Sequence, residues 1–230
     1  SLLDSFEWSA TAENAYIGIT GNLKTATLSN ISERLSGGYK LTGNVSVSSG
    51  HTVTLEEGVS INQQAYDLDV YGTLKVENET VADAFVSTSN SAYIGVRKGG
   101  VVELTNANIN FSRYSQVYVY DGGIFTMIGG SMYAEYGVYI ASGGSMQLTG
   151  VEVKNKIENQ GSLVLEDVEV SSYISGSGSL NAKDSVISDY VDAYGTTTLE
   201  NVSCLRLNMN SDTSITTKGE GVTLTGAQAI

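Results

Sequence analysis

The chain is 230 residues long, with 41% hydrophobic and 16% charged residues, so it can bury a core and disorder is excluded as its main state. Its formal net charge is −13 with the basic residues scattered, a field that excludes nucleic acid and anionic membrane surfaces as partners. No apolar run is long enough to insert in a bilayer, and the single cysteine, Cys204, excludes an intrachain disulfide.

Residues 1–38 follow no repeat. Leu2, Leu3, Phe6 and Trp8 form an apolar cluster at roughly helical spacing. An open sheet end needs a cover, so the segment reads as an N-terminal cap with an irregular first coil. Beyond it the chain is rich in Val, Ile, Thr, Tyr and Ser, with 26 Gly and no Pro. That mixture favours short strands joined by tight bends.

A pattern then emerges: a glycine followed by apolar residues at offsets +2, +4, +7 and +9. Gly72, with Leu74 and Val76, opens one copy, and Gly100 and Gly123 open looser ones. Gly144 brings Met146, Leu148, Val151 and Val153, and Gly161 brings Leu163, Leu165, Val168 and Val170. Gly178 brings Leu180, Ala182, Ser185 and Ile187; Gly195 brings Thr197, Leu199, Val202 and Cys204. The intervals from Gly144 to Gly195 are each 17 residues. Residues 39–210 therefore read as stacked rungs. The pattern slips near Asp212, and residues 211–230 read as the end of the stack, with a slight cap.

Offsets +2 and +4 share one strand face, as do +7 and +9. Between them, +6 is Asn106, Gly129, Gly150, Asp167, Asp184 and Asn201, the residue types that tolerate a left-handed backbone. A further strand lies upstream of each glycine, with inward pairs Ile94 and Val96, Val117 and Val119, and Val138 and Ile140 at −6 and −4. Later rungs keep mainly −4, as Ile157, Ile174 and Val191. Three short strands per rung at constant interval predict an all-β right-handed parallel β-helix, a solenoid in which stacking buries what no rung buries alone. A helical solenoid would need a 3.6-residue period. A β-sandwich would not produce three equal intervals.

The segments YKLTGNVSVSSGHTVTLEEGVSI at 39–61, LDVYGTLKVENET at 68–80 and AYIGVRKGGVVELTNANI at 92–109 resemble coils of bacterial secreted and cell-surface β-helix proteins of the pectate-lyase-like fold. The similarity covers roughly residues 39–205. It implies a secreted or cell-surface location, but the fold serves lyases, hydrolases, adhesins and plain stalks alike. The chain begins at Ser1 without a signal peptide and reads as part of a longer protein, monomeric as an isolated domain.

No catalytic residues can be assembled. His51 is the sole histidine and sits in a polar turn, and the aspartate, G-H-G and R-I-K segments of polygalacturonase-type enzymes are missing. Lyase chemistry would need Ca²⁺ carboxylates beside a base; Lys156, Glu158 and Asp192 are a thin set that reads more simply as an exposed ion pair. Cys204 falls at an inward position and reads as a buried hydrophobe. No cofactor is implied and zinc lacks ligands. Structural calcium is the ion that the acidic ladders Glu152 and Glu169, and Asp167 and Asp184, would take, although Lys183 can relieve the same repulsion. Glu166, Lys183 and Glu200 form an alternating surface ladder of small energetic value.

Tyrosine is the most suggestive residue: 14, against 4 Phe and 1 Trp. Offset −5 faces outward and carries Tyr118, Tyr139, Lys156, Tyr173 and Tyr190 in consecutive rungs, with Tyr120 on the same face. At about 4.8 Å per rung these should form one stripe. Rings with polar tips suit sugars or protein partners. The leading expectation is a structural or adhesive surface module that binds polysaccharide, or a surface protein, through this stripe. Cross-rung tyrosines that merely stabilise a sheet are the plain alternative. An enzyme of the same fold and a non-binding stalk are the other readings.

Overall fold

A parallel pair of strands needs a long connection before it can close, and a rung of three short strands supplies one. In the computed structural model, which describes residues 15–33, 35–87, 89, 91–209 and 214–225, every paired strand among the described residues runs parallel to its counterpart in the neighbouring rungs. The chain coils into a β-solenoid of about ten turns. Three sheets line it. Sheet 1 contains Gln116–Val119, Val138–Ile140, Ile157–Asn159 and Ile174–Gly176. Sheet 2 contains Ser145–Thr149, Ser162–Glu166 and Ser179–Lys183. Sheet 3 contains Glu152–Val153 and Glu169–Val170.

The stack extends into both irregular ends. Ile17–Leu23 and Ala26–Leu28 already pair with the rung of residues 39–55, and Ile215–Leu224 adds a further rung beyond Thr197–Met209. The apolar cluster Leu2, Leu3, Phe6 and Trp8 lies outside the described residues, as do residues 211–213 and 226–230 of the expected closing cap.

Period-2 alternation sends one side of every strand inward. Leu163, Leu165, Val168, Val170, Leu180, Ile187, Leu199, Val202 and Cys204 are all buried, in one continuous core with Phe85, Phe111 and Phe125. At Ser185 and Thr197, where the inward series turns polar, a hydrogen bond compensates the lost solvation. Ser185 donates to the Lys183 carbonyl at 2.7 Å and accepts the Val168 N–H at 3.2 Å, and Thr197 donates to the Gly195 carbonyl at 3.2 Å.

Two devices turn the corners. Every +6 residue from Asn106 to Asn201 adopts positive φ: Asn106, Asp167, Asp184 and Asn201 between 49° and 55°, and Gly129 and Gly150 at 68° and 62°. Asn and Asp accept this conformation at lower cost than branched residues do. The four period glycines serve a different need. Gly161, Gly178 and Gly195 stack in register above Gly144, and a Cβ on each would lie 2.3–2.4 Å from the carbonyl oxygen of the glycine one rung earlier. Glycine stands there because the backbone of the next rung does.

The corner between sheets 1 and 2 changes along the stack. In the rungs of Gly100, Gly123 and Gly144 the sheet 1 strand ends at −4, and a three-residue turn with a positive-φ glycine leads on. From Gly161 onward the pairing runs Val138 to Ile157 and Ile140 to Asn159, so the −4 and −2 positions take the places of −6 and −4. The corner has lost two residues. Asn159, buried, secures the tight version: its Nδ2 donates to the Ser179 carbonyl at 2.8 Å and its Oδ1 accepts the Gly161 N–H at 3.0 Å.

The left-handed corner is testable at Asp167, an exposed residue with φ 55°. Asp167→Gly is expected to change unfolding free energy by less than about 0.5 kcal/mol, and Asp167→Val to lower it by roughly 1–2 kcal/mol, by urea denaturation. Equal effects would mean that the corner is not held in this conformation.

Candidate functional site

The outer face of sheet 1 is built by the alternation that builds the core. Each strand presents two outward positions flanking a buried one, and parallel pairing stacks them into two columns. One column reads Asp69, Gly95, Tyr118, Tyr139, Glu158, Ser175, Asp192 and Asn208. The other, two residues earlier in each strand, carries Tyr93, Gln116, Gly137, Lys156, Tyr173, Tyr190 and Arg206. Arg97 and Tyr120 stand just past the strand ends, at the corner to sheet 2.

All six expected residues, Tyr118, Tyr120, Tyr139, Lys156, Tyr173 and Tyr190, lie half-buried on this face, but the expected single stripe is corrected. Tyr118 and Tyr139 occupy the first column, and Lys156, Tyr173 and Tyr190 the second. The shortened corner moves each later strand by two residues, so Tyr139 pairs with Glu158 and the main chain of Lys156 lies beside Gly137.

Two clusters result. In the first, Tyr118 stacks on Tyr120 with ring centroids 4.0 Å apart and contacts Tyr139 at 4.6 Å. The Tyr93 hydroxyl donates to the Tyr120 hydroxyl at 2.5 Å. Arg97 lies 3.9 Å from the Tyr120 centroid, and its Nε donates to Asp69 at 2.7 Å. In the second, Tyr173 and Tyr190 stack at 4.7 Å, their planes 7° apart. Lys156 caps the Tyr173 side at 5.8 Å and Arg206 the Tyr190 side at 5.2 Å. Lys156 is ion-paired with Glu158.

Burial, the Tyr93–Tyr120 hydrogen bond and nearby Asp69 push the Tyr93 phenol up. Burial and the Tyr139 and Tyr120 phenols raise Tyr118. The hydrogen bond to Glu158 holds the Lys156 ammonium above the usual lysine value. At neutral pH the Tyr93 and Tyr118 phenols are thus neutral, and Arg97 and Lys156 are paired with Asp69 and Glu158.

Tyr93, Arg97, Asp69 and Arg206 join the six expected residues. Arg97 and Tyr120 share one signal, the residue just after the inward −4 valine at Val96 and Val119.

Other candidate chemistry resolves into local contacts. The Nδ1 of His51 accepts the Thr25 N–H at 3.2 Å. Cys204 is buried, which pushes its thiol up and away from the thiolate. Lys183 lies 3.9 Å from both Glu166 and Glu200, so the charge ladder forms across three rungs. Glu152 pairs with Lys154 at 3.3 Å, and Asp184 accepts from Asn201 Nδ2 at 2.7 Å. Among the described residues no three His, Cys, Asp or Glu side chains converge to hold a metal ion, and no helix is long and apolar enough to cross a membrane.

No family model matches the chain, and no curated protein matches it. Among solved structures it aligns with the crystal structure of a TibC-catalysed hyper-glycosylated TibA fragment, at 17% identity over 93% of this chain and 99% of that one. The TM-score is 0.21, too low to bear on the fold or the function of this chain.

The raised phenols couple stability to alkaline pH. A folded-state value above the ordinary one, about 10, gives stabilisation that is complete below pH 10 and is lost as pH rises through the folded value. Thermal unfolding from pH 8 to 11 is expected to show Tm falling above about pH 10 in the wild type and falling less in Tyr93→Phe. Equal slopes would mean that the Tyr93 phenol is not shielded.

Proposed function

We propose that the chain is a secreted or cell-surface β-helix module whose sheet 1 face holds an extended polysaccharide along the stacking axis. The observation that carries this reading is the concentration of ring contacts on one sheet. Tyr93, Tyr118, Tyr120, Tyr139, Tyr173 and Tyr190, with Arg97, Lys156 and Arg206, share a single outer face. The outer face of sheet 2 carries Ser, Thr, the charge ladder and the exposed aliphatic side chains Ile124 and Ile128 instead. A row of amphipathic side chains running along a rod suits a linear polymer better than a compact ligand.

One observation favours a second reading, the non-binding stalk: the rings cover one another, as sheet-stabilising tyrosines would. The enzyme reading has no such support, because Lys156, its one candidate base, is held protonated against Glu158.

Titration against a panel of neutral and acidic glycans separates the two. The wild type is expected to bind an extended glycan weakly, and Tyr139→Ala/Tyr173→Ala to lose at least tenfold in affinity while still unfolding cooperatively. If nothing on the panel binds, or if the double variant binds as the wild type does, the stalk reading replaces this one.

A further inference from the structure

We propose that the sheet 1 face takes an uncharged polysaccharide and holds it by phenol hydroxyls and carboxylates met edge-on, not by stacking sugar rings on tyrosine faces. The inference rests on the reading of this face as a glycan site and specifies its ligand and its contacts.

The first support is that the ring faces are already occupied. Tyr173 has Tyr190 on one side and Lys156 on the other, and Tyr190 has Tyr173 and Arg206. Tyr120 lies between Arg97 and Tyr118, and Tyr118 touches both Tyr120 and Tyr139. The stack of the second cluster runs along the rung axis, through Lys156, Tyr173, Tyr190 and Arg206 in successive rungs. A sugar laid on the sheet would therefore meet ring edges and hydroxyls. Unstacking a ring to free its face would forfeit the aromatic contact it already makes.

The second support is charge. Arg97 donates to Asp69, and Lys156 is paired with Glu158, so two of the face's three cations are neutralised in place. Asp192 adds an acceptor in the Glu158 column and is itself bonded by Asn208 Nδ2 at 2.5 Å. The chain as a whole carries −13, which opposes the approach of a polyanion. Lys156, paired in place with Glu158, offers no free charge to an acidic sugar.

What remains is a row of neutral hydroxyls, each able to donate and to accept, interleaved with carboxylates that accept. Sugar hydroxyls in an uncharged chain are the complement of that row. Phenols held above their ordinary titration range keep their protons, so Tyr118 and Tyr190 remain donors at neutral pH, while the Tyr93 proton is already given to Tyr120.

The test uses the full chain and a variant that keeps the rings while removing their hydroxyls. Tyr173→Phe/Tyr190→Phe preserves the aromatic stack. Calorimetric titration with cellohexaose and mannohexaose as neutral probes, and hexagalacturonate as the acidic one, is run at low and at high salt. The expected result is binding of at least one neutral hexamer, insensitive to salt, that the double Phe variant weakens tenfold or more with Tm unchanged. If the Phe variant binds as the wild type does, ring faces make the contact and the inference fails while the glycan site stands. Preference for hexagalacturonate, with loss at high salt, overturns the uncharged ligand. If no hexamer and no polymer on the wider panel binds the wild type, the glycan site itself fails, and the inference with it.

Discussion

Parallel pairing between successive rungs is the interaction that makes both the core and the outer faces possible. A three-strand rung has an apolar side with nothing of its own to cover it; only the rungs before and after supply the backbone partners and the packed core. That requirement makes inward positions apolar and leaves outward positions free to vary. It also explains the two kinds of special residue. The +6 corners need a left-handed backbone, which Asp and Asn supply as well as Gly. The period glycines need the absence of a Cβ, because the preceding rung's carbonyl oxygens occupy that space.

The same ladder makes the sheet 1 face. Register converts a residue type repeated along the sequence into a column along the axis, and columns at about 4.8 Å spacing bring aromatic rings to stacking distance. Tyr173 and Tyr190 stack for this reason, with cations closing the stack at either end. A face made in this way is stable before any ligand arrives. Its rings already make with one another the contacts that hold the sheet face together.

Much of this was legible in the sequence. The inward pairs after each period glycine, the left-handed +6 series from Asn106 to Asn201 and the Glu166–Lys183–Glu200 ladder follow directly from alternation and a 17-residue period. The tyrosine face was legible as a face but not as a geometry. Counting back from the glycine assumes a corner of constant length, and the corner loses two residues between Ile140 and Asn159. A signal for this was present: the earlier corners end in paired glycines, at Gly99–Gly100, Gly122–Gly123 and Gly143–Gly144, and the later ones in Gly161, Gly178 or Gly195 alone. The sandwiching by Arg97 and Arg206 was not legible, because cation–ring contacts depend on side-chain directions that spacing alone does not specify.

Because the face is a consequence of register, register is the property to measure. Two double-cysteine variants suffice, Tyr139→Cys with Glu158→Cys and Tyr139→Cys with Lys156→Cys, since native Cys204 is buried and its thiol is pushed up. Paired positions on adjacent parallel strands lie about 4.8 Å apart, within disulfide range, and positions offset by two residues lie roughly 8 Å apart, outside it. Mild oxidation is expected to close the disulfide between positions 139 and 158, which are paired, and to leave 139 and 156 reduced. Efficient closure of 139 with 156, and none of 139 with 158, would restore the single stripe and contradict the two-column face.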